Sequence, residues 1–154
     1  MNNYDDSIRG TFQSEEKASQ LVKFDGLLYK GKSGALTVTP TDIDGLIQLD
    51  VENCIILFEL KYQGGMPEGQ KQAYSKLCDA IEGGGVNCVV FLAEHETDYP
   101  APIMAKDAKV TEVYRKESGW KNIRHKGRKL GEIIANYIIW IRGREANNAT
   151  LNTI

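Results

Sequence analysis

The chain has 154 residues and 17.2 kDa, the length of one ordinary domain. Its 42% hydrophobic and 26% charged residues exclude a disordered, collagen-like or coiled-coil protein, and no apolar run approaches the ~20 residues of a bilayer-spanning helix. The net charge of -2 hides a division: residues 1–105 carry 8 Lys/Arg against 16 Asp/Glu, whereas residues 106–154 carry 11 against 5. One surface suited to phosphates and another that gathers carboxylates for a cation would give such a split, as would a plain solvated basic helix and hairpin.

In chain order, Ser14 followed by Glu15 and Glu16 predicts a helix start with acids in its first turn, running to about Phe24. Ala35 to Thr39, Ile43 to Leu49 and Asn53 to Tyr62 read as three strands of a meander, the last two joined by a turn at 50–53. Pro67 opens a helix over about 67–82 that Gly83, Gly84 and Gly85 stop. Val86 to Ala93 is a continuous apolar run, the pattern of a strand buried on both faces and reached from 53–62 by a parallel crossover.

Pro100 and Pro102 then break the chain, Val110 to Arg115 predicts a further strand, and 120–127 reads as a basic loop. Leu130, Ile133, Ile134, Tyr137, Ile138 and Ile141 form the apolar stripe of a last helix ending before Gly143. Cys54, Cys78 and Cys88 lie in apolar segments without metal-ligand spacing and read as buried, reduced thiols. With no leader pattern in Met1 to Asp6, the expectation is a single cytoplasmic α/β domain, 1–154, with a mixed sheet flanked by helices and no membrane partner.

The strand Ile55-Ile56-Leu57-Phe58-Glu59-Leu60-Lys61 holds the chief anomaly. Four apolar side chains in succession bury both faces, and the strand then runs straight into Glu59 and Lys61, which share a face. Charges at the end of a core strand need each other or an added ion, since burying one unpaired costs several kcal/mol. Leu60 points the other way and leaves its carbonyl near the pair.

Upstream, Asp42 and Asp44 stand at the start of the partner strand, and a hairpin about 50–53 sets position 44 opposite roughly 59. Two carboxylates and a backbone carbonyl make an all-oxygen site suited to Mg2+ or Mn2+, with Lys61 placed to hold a water or a phosphate.

Asp44, fourteen intervening residues, then Glu59-Leu60-Lys61 resembles the PD-(D/E)xK nuclease superfamily. Gln70-Lys71-Gln72-Ala73-Tyr74 adds a QxxxY pattern similar to that of its RecB-like members. The resemblance covers about residues 14–94 and implies a restriction-endonuclease-like αβββαβ core, here with an added C-terminal strand and helix in a basic extension at about 106–145. It implies a Mg2+- or Mn2+-dependent deoxyribonuclease of phage or mobile-element type, acting in recombination, repair or replication.

By position, the resemblance makes Asp44, Glu59 and the Leu60 carbonyl the metal ligands and Lys61 the water-orienting group. Gln70 and Tyr74 support the site or contact DNA, and Glu16, with Glu15 as the alternative, adds an acid from the first helix. No Pro directly precedes an Asp, so Asp42 competes with Asp44 as ligand. Trp120, Lys121, Arg124, Lys126 and Arg128 are candidates to stack on a base and grip phosphates. The competing expectations are a non-catalytic nucleic-acid or protein-binding module that keeps the nuclease fold, and an assembly protein that forms a homo-oligomer through its last helix.

Overall fold

The computed structural model describes residues 43–151. Asp42, Glu15, Glu16, the helix expected at 14–24 and the strand expected at 35–39 lie outside them. Strands β1 (Gly45–Leu49) and β2 (Cys54–Tyr62) form an antiparallel hairpin whose register runs from Leu49 opposite Cys54 to Gly45 opposite Phe58. Asn53, at φ 45°, closes the turn, and its N–H donates to the Asp50 carbonyl at 3.2 Å; asparagine tolerates this left-handed conformation better than most residues.

Helix α1 (Glu68–Gly83) then crosses the sheet, and β3 (Asn87–His95) returns parallel to β2, paired from Cys54 opposite Asn87 to Tyr62 opposite His95. β4 (Lys109–Arg115) and β5 (Gly119–Asn122) follow antiparallel, so the mixed sheet of five strands has the order β1-β2-β3-β4-β5. The last element is helix α2 (Leu130–Leu151). No helix among the described residues is long and apolar enough to cross a membrane.

The central stretches of β2 and β3, Cys54 to Phe58 and Cys88 to Ala93, are apolar on both faces because each side of the sheet carries a helix. Ile56, Val89, Phe91, Ala93 and Val110 pack beneath Leu130, Tyr137 and Ile141 of α2. Leu57, Cys88, Val90, Leu92 and Tyr114 pack beneath Tyr74 and Cys78 of α1. Cys54, Cys78 and Cys88 are buried, as expected.

Two elements depart from the sequence expectation. The basic loop at 120–127 contains strand β5 and a turn of 3-10 helix at Arg124–Lys126. Gly119, at φ 67°, turns the chain so that Trp120 pairs with Tyr114, and this short segment has too few apolar residues to announce itself as a strand. Helix α2 runs through Gly143 to Leu151. A lone glycine costs a helix about 1 kcal/mol, and with neither a left-handed cap nor a proline behind it Arg144, Glu145 and Ala146, good helix formers, carry the helix on.

Candidate functional site

The site forms where β2 leaves the core, at the carboxyl ends of the parallel strands, the edge of an α/β sheet at which ligands commonly bind. Extending the hairpin register by one step sets Asp44 opposite Glu59, as the sequence implies. Asp44 Oδ2 accepts the Leu60 N–H at 2.7 Å, so its side chain continues the ladder just where β1 begins. An extended residue turns its N–H and C=O toward the same neighbouring strand, which directs the Leu60 carbonyl to the Asp44 edge. The Leu60 side chain packs on the opposite face, against the α2 core.

Glu59 is 1% exposed, and donors of this chain account for its burial. Its Oε1 accepts Gln70 Nε2 at 2.7 Å and lies 2.6 Å from the Lys61 ammonium. Its Oε2 accepts the Tyr74 hydroxyl at 2.5 Å. Gln70 and Tyr74 reach it together because residues four apart on a helix share a face, and the Pro67 carbonyl, accepting the N–H groups of Gln70 and Lys71, starts that turn. Burial raises the Tyr74 phenol far above its ordinary range, and the nearby carboxylates of Glu59 and Asp44 push it further the same way. Tyr74 is therefore a permanent donor at neutral pH, in the field of both acids.

Tyr74 is 2% exposed, so it supports Glu59 and presents no surface to a nucleic acid, which narrows the pair of roles expected from the sequence. Trp120 is likewise engaged in packing. Its Nε1 donates to Ser75 Oγ at 2.9 Å, its ring lies 5.3 Å from that of Tyr114, and the Lys71 ammonium sits 5.6 Å from its centre.

The other basic candidates do not form one patch with Trp120. Arg124 makes two hydrogen bonds to Glu94, at 2.8 and 2.5 Å, while Lys126 and Arg128 line a cleft against α2 on the far face of the sheet. Lys121 is exposed on β5, paired with Val113, whose side chain packs toward the α2 core.

Glu94 and Glu112 were not singled out from sequence. Glu94 lies beside Lys61 in the β2–β3 register, and Glu112 takes the Lys71 ammonium at 2.5 Å. The signal for Glu94 was present: Phe91-Leu92-Ala93-Glu94 repeats the apolar-then-acid ending of the neighbouring strand.

Asp44, Glu59 and the Leu60 carbonyl are hard oxygen donors, in kind the set that Mg2+ or Mn2+ takes. Among the described residues no group of three or more His, Cys, Asp or Glu side chains gathers as a metal site, so these two carboxylates are the acids at hand. The fold and site define an α/β protein with an open mixed sheet and a braced, buried carboxylate at a strand mouth. No protein-family model, curated protein or solved structure matches the chain.

Proposed function

We propose that the protein is a divalent-metal-dependent nuclease that hydrolyses DNA phosphodiester bonds on a restriction-endonuclease-like core. The observation that carries this reading is the convergence on Glu59: Lys61 from its own strand, Gln70 and Tyr74 from α1, and Asp44 opposite. A carboxylate whose orientation is set by two helix donors is the arrangement that outer-shell support of a metal ligand requires.

In this reading Asp44, Glu59 and the Leu60 carbonyl would hold Mg2+ or Mn2+. An ion held there would lower the pKa of a water and neutralise charge on the leaving oxygen. Lys61, 28% exposed at its side chain, orients that water or the attacked phosphate, while Gln70 and Tyr74 hold Glu59 in place. A role in recombination, repair or replication of phage or mobile-element DNA follows from the resemblance alone.

One observation favours a second reading, a non-catalytic nucleic-acid or protein-binding module. Both oxygens of Glu59 already have donors within the chain, so its burial needs no cation. Incubation with plasmid, linear and branched DNA in Mg2+ or Mn2+ separates the two. The nuclease reading expects cleavage that falls by about a hundredfold or more in Lys61→Met and Glu59→Gln. Cleavage no greater than that of Lys61→Met on every substrate would support the binding module instead.

A further inference from the structure

The face of the sheet away from Glu59 carries a second site. Helix α2, β4 and the 3-10 turn at Arg124–Lys126 enclose an open cleft of about 380 Å³. Its floor is Phe91 and Val113, one wall is Tyr137 and Trp140, and Arg115, Lys126 and Arg128 bring three positive charges to it. Among the described residues no carboxylate lines it.

Arg128 has a counter-ion in Glu132 on the next turn, outside the cleft. Arg115 and Lys126 have no carboxylate partner among the described residues. The Arg115 guanidinium, half-buried, lies 5.4 Å from the Tyr137 ring and 4.8 Å from the Trp140 ring. Cation–π contact offsets part of the desolvation of such an arginine and leaves its hydrogen-bonding edge unmatched by any acid.

Three positive groups so placed suit an anion, and the apolar floor and aromatic wall beside them fit a flat ring joined to that anion. The volume lies at the lower end of small-molecule sites, enough for one nucleotide and too small for a duplex. We propose that this cleft binds a nucleoside monophosphate unit, either free or at the phosphorylated end of a DNA strand, with its phosphate on Arg115, Lys126 and Arg128 and its base against the exposed part of Trp140. The proposal is independent of the nuclease reading, because the cleft and Glu59 lie on opposite faces of the sheet.

The chain has two tryptophans, on opposite faces, so their indole N–H resonances report separately. The full chain in EDTA, which prevents any metal-dependent cleavage, is titrated with deoxyadenosine 5′-monophosphate, deoxyadenosine, inorganic phosphate, and a short oligothymidylate with or without a 5′-phosphate. The expected result is saturable binding of the monophosphate or the phosphorylated oligonucleotide that moves the Trp140 signal and leaves Trp120 in place. That affinity should exceed those of the nucleoside and of phosphate by about tenfold.

The tighter of the two phosphorylated probes identifies the source as free nucleotide or strand end. Arg115→Gln and Trp140→Ala should each weaken binding by about tenfold, while Trp140→Phe, which keeps an aromatic wall and serves as the folded control, should largely retain it. Failure of both phosphorylated probes, binding that shifts Trp120 alone, or equal affinity for phosphate and the monophosphate would overturn the proposal.

Discussion

The Tyr74 hydroxyl donates to Glu59 Oε2 at 2.5 Å, and both groups are almost wholly buried. Removing the donor leaves a desolvated carboxylate oxygen with one partner fewer. Tyr74→Phe should therefore lower unfolding stability by about 1–3 kcal/mol, measured by urea denaturation. On the nuclease reading it should also reduce metal affinity or DNA cleavage by about 10–100-fold, since it loosens a ligand without removing it. A variant that matches the wild type in both measurements would show that the hydroxyl does not hold Glu59.

Lys61 lies 2.6 Å from the same carboxylate. Lys61→Met strips that charge while Gln70 and Tyr74 remain, and because the ammonium is partly exposed the loss should be smaller than for a fully buried pair, about 1–3 kcal/mol. On the nuclease reading Mn2+ binds only the folded site, so it should raise the melting temperature of Lys61→Met and leave that of Glu59→Gln unmoved. Equal responses in the two variants would place any Mn2+ elsewhere.

Gly45, the first paired residue of β1, directly follows Asp44, and the Phe58 ring lies across it. A Cβ there would come within 1.9 Å of the ring. Gly45→Ala must displace Phe58 from the α2 core, where overpacking typically costs about 1–3 kcal/mol, and should shift the amide resonance of Leu60 that reports the Asp44 hydrogen bond. An unshifted Leu60 amide would mean that the ring moves without disturbing the strand mouth.

Glu52, buried in the β1–β2 turn, takes a hydrogen bond from Arg142 Nε of α2. That bond holds its carboxyl below the ordinary 4.5, although burial pushes the other way. A depressed folded value gives stability that is whole above the unfolded value and is lost as pH falls through the folded one. Arg142→Gln should therefore be less stable than the wild type at neutral pH, and the gap should close as pH drops below about 4. A gap that stays constant from pH 7 to about 3 would remove this linkage.

Much of the core and of the strand mouth could be read in advance because local rules act strongly there. β2 and β3 declare themselves by apolar residues on both faces, and a turn at 50–53 leaves one register that puts Asp44 across from Glu59. The i, i+4 spacing of Gln70 and Tyr74 likewise sets both on the face that meets Glu59.

What escaped depends on partners distant in the chain. Trp120 resembles a free stacking platform until Ser75 and Lys71 occupy it. The cleft of Arg115, Tyr137 and Trp140 joins β4 to α2 across a segment whose spacing carries no signal. The continuous basic surface suggested by 121–128 divides because successive residues of a strand and a 3-10 turn point to different faces.

On the nuclease reading Asp44 and Glu59 hold one divalent cation, which titration calorimetry with Mn2+ measures. The account expects saturable binding of a single ion by the wild type, lost in Asp44→Asn and in Glu59→Gln while both variants stay folded by circular dichroism. Absence of saturable binding in the folded wild type, or binding that survives both substitutions, would contradict it.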